Sequence, residues 1–82
     1  MTNADIRTVV LSTLLKIAPE VDPQLLRPDR PLRRQVDLDS MDWLNFLVAL
    51  HEALKVDIPE TDYARLVTLD DVVSYLEAAT KR

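Results

Sequence analysis

Residues 39–55 read DSMDWLNFLVALHEALK and carry the strongest structural signal in this sequence. Apolar side chains recur there every three or four positions, which is typical of an amphipathic helix. Asp39 is a good N-cap, and Asp42 adds negative charge to the first turn, where the helix dipole favours it. We therefore predict a helix that begins at Asp39-Ser40 and continues to about Lys55.

This helix carries two apolar stripes when its residues are placed at about 100° intervals. The broader stripe, which predicts the core face, contains Trp43, Phe46, Leu47, Leu50 and Leu54. The second stripe contains Met41, Leu44 and Val48, on the far side of Ser40. A helix that only packs inward needs one stripe, so the second predicts a partner surface, unless the preceding loop folds back over it.

The chain before this helix predicts one helix and one long loop. Helical spacing covers residues 3–18, with Thr2 or Asn3 as the cap and Pro19 as the stop. Its predicted core stripe contains Ile6, Val9, Val10, Leu14 and Ile17. Four prolines make residues 19–39 a long loop, in which Asp22-Pro23 can start a single helical turn. The expected core anchors of the loop are Leu25, Leu26 and Leu32.

The chain after this helix predicts one short and one longer helix. Residues 56–59 break the helical pattern, with Ile58 as a core contact, and a short helix follows at about 60–65. A last helix starts after Thr68. Residues 68–71 resemble a capping box in which Asp71 takes the place of the usual Glu. Its core stripe contains Leu69, Val72, Val73 and Leu76. The predicted fold is an all-α four-helix bundle, three helices longer and one short, forming a single domain over residues 1–82.

The residue inventory excludes several classes of protein. The 82 residues include no cysteine and one histidine, His51, for which a surface position is expected. Disulfides and thiolate metal sites are therefore excluded, no catalytic nucleophile–base set can be assembled, and the chain is not expected to be an enzyme. No apolar run reaches the roughly 20 residues of a membrane span, and the N-terminus lacks the features of a signal peptide. A cytoplasmic protein is expected.

Charge is distributed unevenly along the chain. Residues 1–39 hold six basic and six acidic side chains, whereas residues 40–82 hold four and eight and so carry the whole net charge of −4. Phosphate backbones would be repelled by the acidic half, which argues against a nucleic-acid partner. Acidic surfaces suit docking onto basic protein surfaces, although they also serve solubility.

Ser40 lies where the two stripes meet, at the first turn of the helix. Taken alone, a serine at this position is most often a helix cap. Its place after a long loop predicts exposure, and free N–H groups at a helix N-terminus stabilise an attached phosphate. The combination favours a modification site at Ser40.

The residues Asp39-Ser40-Met41 resemble the Asp-Ser-Leu signature of the acyl carrier protein family. The resemblance covers about residues 32–77 and includes Ile58-Pro59. It implies that a phosphopantetheinyl transferase moves 4′-phosphopantetheine from coenzyme A to Ser40, and that acyl-loading and acyl-transferring enzymes use the arm. It also implies that Asp39 helps the transferase to bind. The implied partner-facing positions are Met41, Asp42, Leu44, Val48 and Glu52, and the acyl-pocket candidates are Trp43, Phe46, Leu47, Leu50 and Ile58.

The sequence departs from the family pattern at several positions. Asp37 replaces a customary glycine, and Asn45 and His51 replace customary acids of the helix. The first loop is unusually basic, with Arg27, Arg30, Arg33 and Arg34. These changes predict a specialised carrier for a dedicated fatty-acid, lipid or polyketide pathway. Trp43 is also unusual; it is either a core residue or the residue that narrows the mouth of an acyl pocket.

Two other functions remain open at the level of sequence. A peptidyl or aryl carrier of nonribosomal synthesis would share the fold and the arm. A helical adaptor would use the Met41, Leu44 and Val48 surface without an arm. A monomer is expected in each case.

Overall fold

The computed structural model describes residues 2–81 and is built on three long helices. The helices are α1 (Asn3–Ile17), the short α2 (Leu32–Gln35), α3 (Ser40–Leu54) and α4 (Leu69–Thr80). Single stretches of 3₁₀ helix occur at Pro23–Leu25 and Glu60–Arg65. The predicted all-α, carrier-like bundle is confirmed, and the predicted helix bounds differ from the observed ones by about one residue. Helix α2, inside the predicted long loop, was not anticipated.

Side-chain caps fix the start of each long helix. The Thr2 hydroxyl accepts from the Asp5 N–H at 3.1 Å, and the Thr2 N–H donates to the Asp5 carboxylate at 3.2 Å. These hydrogen bonds hold the pKa of Asp5 below its ordinary value, and the bond from the Thr2 backbone N–H has the largest effect. Thr68 and Asp71 make the same reciprocal pair at 2.9 and 3.0 Å. Local side-chain chemistry therefore sets where α1 and α4 begin.

The core lies where α1 packs against α3 and α4. Helix α1 contributes Ile6, Val10 and Leu14, while Val9 is only half-buried. On the predicted core stripe of α3, Leu54 is partly buried and four side chains are buried: Trp43, Phe46, Leu47 and Leu50. The predicted stripe of α4 is buried in full: Leu69, Val72, Val73 and Leu76.

The first loop is tied to the start of α4 rather than lying free. The Leu32 N–H donates to the Val67 carbonyl at 2.8 Å, and the Asp70 N–H donates to the Pro28 carbonyl at 3.0 Å. Leu32 is fully buried as expected, and Leu26 is partly buried. The prediction of Leu25 as a core anchor is wrong, because this side chain is 77% exposed. Buried Leu32 and partly buried Leu26 contact the core, so Leu25 is left in solvent.

Lys55 ends α3 in the left-handed conformation, with φ 55° and ψ 43°, and its N–H donates to the His51 carbonyl. It is the one non-glycine residue with positive φ among residues 2–81. A side chain with a Cβ pays roughly 1–2 kcal/mol in this conformation, and glycine does not. A glycine at position 55 would avoid this cost, but its greater conformational freedom in the unfolded chain would offset part of the gain in stability.

We expect Lys55→Gly to raise the free energy of unfolding by about 0.5–1 kcal/mol in urea denaturation. Lys55→Ala, which keeps the Cβ, is the matched control and is expected to give no such gain. A glycine variant less stable than the alanine variant would contradict this interpretation.

Candidate functional site

Ser40 is the first residue of α3 and is exposed. The buried Leu38 anchors the chain just before it, at 7% exposure. Asp39 is the N-cap: its carboxylate accepts from the Asp42 N–H at 2.8 Å, and its carbonyl accepts from the Trp43 N–H at 3.0 Å. Because Leu38 points inward and Asp39 holds the helix start, Ser40 is presented to solvent at a fixed position.

Unused hydrogen-bonding groups surround this position. Within the described part of the chain, neither the Ser40 hydroxyl nor the N–H groups of Ser40 and Met41 have a hydrogen-bond partner. Free N–H groups and the positive end of the helix dipole favour a negatively charged group. Asp42 already satisfies its N–H through the Asp39 cap. The arrangement can accept a phosphate ester on the Ser40 oxygen without breaking an existing hydrogen bond.

An exposed apolar surface begins beside Ser40. We call Met41, Leu44 and Val48 the α3 surface stripe; their side chains are 68%, 42% and 42% exposed. Asp42 is half-buried and Glu52 is exposed on the same helix. The first loop leaves the stripe uncovered. Exposed apolar side chains grouped on one face are typical of a surface that contacts another protein.

A surface depression of about 320 Å³ lies next to this stripe. It brings together Leu47, Val48 and Ile58, which the sequence named as pocket or partner residues. The residues lining it are Leu47, Val48, His51, Asp57, Ile58, Pro59 and Tyr63. The other pocket candidates, Trp43, Phe46 and Leu50, are buried in the core and do not line this depression.

His51 and Tyr63 belong to this depression although the sequence gave no role to either. His51 Nδ1 donates to the Val56 carbonyl at 2.6 Å, since a carbonyl can only accept. This bond holds the segment after α3 against the helix end, beside Ile58. The break in the pattern at Ile58-Pro59 was the only sequence signal for this place. The partners across the depression come from separate elements, which helical periodicity does not reveal.

Trp43 lies one turn after Ser40 and is 8% exposed. Its ring packs against Phe46 with centroids 5.3 Å apart and planes tilted by 40°. The Arg33 guanidinium lies over the Trp43 ring, 5.9 Å from its centroid. An aromatic pair and a cation–π contact each contribute about 0.5–1 kcal/mol. Trp43 is thus a core residue with one contact to the loop; its role at a pocket mouth stays a prediction.

The substitution of Asp37 for a family glycine does not strain the backbone. Since Lys55 is the single positive-φ residue in the range 2–81, Asp37 adopts a conformation open to any residue. Asp37 is exposed between buried Val36 and Leu38. The path into Ser40 therefore does not require glycine in this chain.

Over residues 2–81 there is no group of three or more side chains suited to hold a metal ion. Across the same residues, no helix has the length and apolar character needed to cross a membrane.

Comparison with known proteins agrees with this geometry. The sequence model described as "Phosphopantetheine attachment site" matches residues 5–76. The chain is 34% identical over 77 residues to the acyl carrier protein of Campylobacter concisus (strain 13826), covering 94% of each chain. It is 32% identical to that of Campylobacter curvus (strain 525.92), again over 94% of each chain. The acyl carrier protein of Campylobacter hominis shares 29% identity over 94% of this chain and 91% of its own.

The chain therefore belongs to the acyl carrier protein family, whose members are carriers bearing covalently attached 4′-phosphopantetheine. The family resemblance noted in the sequence is confirmed, and so is the cofactor that it implied. The exposed, unbonded hydroxyl at the head of α3 fits a phosphodiester, since a phosphate there would meet free N–H groups.

Proposed function

We propose that Ser40 is the attachment residue and that the chain carries acyl intermediates as thioesters. The single observation that supports this best is the exposed Ser40 hydroxyl, free of hydrogen bonds, at the N-terminus of α3. The terminal thiol of phosphopantetheine supplies the thioester chemistry. The chain's own residues hold and present it: the helix end favours the phosphate charge, and Asp39 fixes that end.

Recognition is assigned to the face that surrounds Ser40. We propose that Asp39 contributes to binding of the phosphopantetheinyl transferase. The α3 surface stripe, with Asp42 and Glu52, would contact acyl-loading and acyl-transferring enzymes. Its exposed apolar side chains supply contact area, and the two carboxylates steer the approach of basic partners.

An acyl chain would be sheltered from water beside Leu47 and Ile58. These side chains line the depression of about 320 Å³ next to Val48. Burial of each methylene contributes roughly 0.8 kcal/mol, so even a short acyl chain gains from this contact. Trp43, Phe46 and Leu50 lie in the adjoining core and would bound a deeper pocket if the core opens.

The proposed role needs no catalysis by the chain. The protein is proposed to act as a monomer in the cytoplasm, delivering its cargo to enzymes that perform the chemistry. A peptidyl or aryl carrier, which shares the fold and the arm, remains the alternative.

The direct test is intact-mass analysis after incubation with coenzyme A and a broad-specificity phosphopantetheinyl transferase. We expect one phosphopantetheine group per chain. A chain that stays unmodified would contradict attachment at Ser40. Loading of the arm by an acyl-transferring enzyme, but not by an enzyme that activates amino acids, would separate an acyl carrier from a peptidyl carrier.

We further propose that the pathway served is a dedicated one. Asn45 and His51 remove acidic charge from α3, which weakens steering toward a generic basic partner. In reconstituted fatty acid elongation, the loaded protein is expected to work more slowly than a housekeeping carrier. Equal elongation rates for the two proteins would refute the specialised role.

A further inference from the structure

The first loop holds an arginine cluster that the carrier function does not use. Residues 27–35 contain four arginines and one aspartate, a local charge of +3 in a chain of net charge −4. The ion pairs among residues 2–81 involve Arg7, Arg65 and Lys81, and His51 Nδ1 lies 4.0 Å from the Asp57 carboxylate. None of the four loop arginines pairs with a carboxylate within that range. Arg33 contacts Trp43, and the other three remain without a charged partner.

The backbone beneath these arginines is held in place by Gln35. Its side-chain oxygen accepts from the Arg27 N–H at 2.6 Å. Its amide nitrogen donates to the carbonyls of Arg27 at 2.8 Å and Arg30 at 3.1 Å. The hydrogen bonds from Leu32 and Asp70 described above fix the same segment to the start of α4. A segment ordered before binding loses little conformational entropy when a partner arrives.

Three of the arginines surround one depression. Arg27, Arg30 and Arg34 line a hollow of about 540 Å³ together with Leu25, Pro31 and Gln35. Leu25 is 77% exposed there, more than any other large apolar side chain of residues 2–81. The hollow thus combines three guanidinium groups with an apolar contact surface. Guanidinium groups match carboxylates through two parallel hydrogen bonds.

We propose that this hollow docks an acidic segment of a partner protein, with carboxylates on the three arginines and an apolar side chain against Leu25. Charge complementarity supports this occupant. A nucleic acid or an anionic membrane extends beyond the hollow and would meet repulsion from the rest of this acidic chain, whereas a short acidic segment contacts the hollow alone. On a second copy, the acids of α4 are already engaged: Asp70 with Arg7, Asp71 in its cap, and Glu77 with Asn3 and Lys81. Free acids of a second copy lie on α3, the face proposed above for partner enzymes, and self-association is therefore one outcome of the test below.

The consequence is selectivity. The acidic residues of α3 suit a basic surface and the arginine hollow suits an acidic one, so a partner engaging both must carry both charges. Partners with one charge alone gain less and are discriminated against. The proposal does not depend on the arm, so it can fail while attachment at Ser40 holds, and the reverse.

The test measures binding of the full chain to an acetylated peptide that has a single leucine flanked by glutamates. Binding is monitored at low salt through changes in the amide chemical shifts of the chain. We expect shifts concentrated in residues 25–35. The triple variant Arg27→Gln/Arg30→Gln/Arg34→Gln should bind about tenfold more weakly or worse. The control Lys16→Gln/Lys55→Gln/Arg65→Gln removes the same charge from exposed sites elsewhere and should stay within about twofold of the unaltered chain.

Several results would overturn the proposal. Shifts outside residues 25–35, or equal weakening in both triple variants, would reduce the effect to net charge. Tighter binding of coenzyme A to the same arginines would make the hollow a nucleotide site. Binding to anionic vesicles in preference to the peptide, or self-association lost in the arginine variant, would assign it to a membrane or to a second copy.

Discussion

Replacing Ser40 with alanine is expected to abolish phosphopantetheine loading and leave the fold intact. The Ser40 hydroxyl oxygen is the proposed attachment atom for phosphopantetheine, and the methyl side chain of alanine has no oxygen to take its place. The cap of α3 belongs to Asp39, whose carboxylate accepts from the Asp42 N–H at 2.8 Å. Since the Ser40 hydroxyl makes no hydrogen bond to residues 2–81, its loss should change the free energy of unfolding by less than about 0.5 kcal/mol.

Ser12→Ala and Ser74→Ala are the matched controls, because Ser12, Ser40 and Ser74 are the three serines of the sequence. Ser12 and Ser74 are exposed within the bodies of α1 and α4, away from any helix start. Both variants should gain one phosphopantetheine group by intact mass under conditions that load the unaltered chain. A loaded Ser40→Ala protein, with circular dichroism showing a normal fold, would disprove attachment at Ser40.

Phe46→Ala is expected to cause the largest loss of stability. Phe46 is fully buried in the core cluster, and its ring packs at a tilt against Trp43. Truncating a buried phenylalanine costs about 3–5 kcal/mol, from lost burial and from the cavity left behind. The total free energy of unfolding of a native protein is about 5–15 kcal/mol, and a short chain such as this one is expected at the low end. The variant should therefore be largely unfolded or close to it at room temperature.

Leu44→Ala on the same helix provides the comparison for Phe46→Ala. Leu44 is 42% exposed, so its truncation should cost less than about 1 kcal/mol in urea denaturation. The two variants lose apolar side chains of the same helix and differ chiefly in burial. Similar losses of stability for both would show that α3 is not oriented with Phe46 inward.

The long helices could be predicted because their causes are local. Thr68 with Asp71, and Asp39 with Asp42, are close in sequence, so the caps can be read from neighbouring residues. The spacing of apolar residues in α3 also separates the buried Phe46 from the exposed Leu44. Helix starts and faces depend on contacts within one turn or two, which a sequence pattern records directly.

The first loop could not be predicted to the same degree because its contacts are distant in sequence. Helix α2 begins at Leu32, whose N–H donates a hydrogen bond to the Val67 carbonyl. The loop just before it is held by the hydrogen bond from the Asp70 N–H to the Pro28 carbonyl. Leu25 looked like a core residue by its hydrophobicity, yet Leu26 and Leu32 pack in or against the core and Leu25 lies in solvent. Hydrophobicity alone does not tell which of three leucines reaches the core.

For the candidate site, the sequence alone predicted the residues near Ser40: the hydroxyl proposed for attachment, the neighbouring N-cap residue and the apolar stripe. Packing between separate elements alone placed His51 and Tyr63 beside Ile58, and left three unpaired arginines around an exposed leucine. Periodicity reports which way a side chain faces on its own helix. Which groups meet across the fold depends on long-range contacts, whose partners no local pattern names.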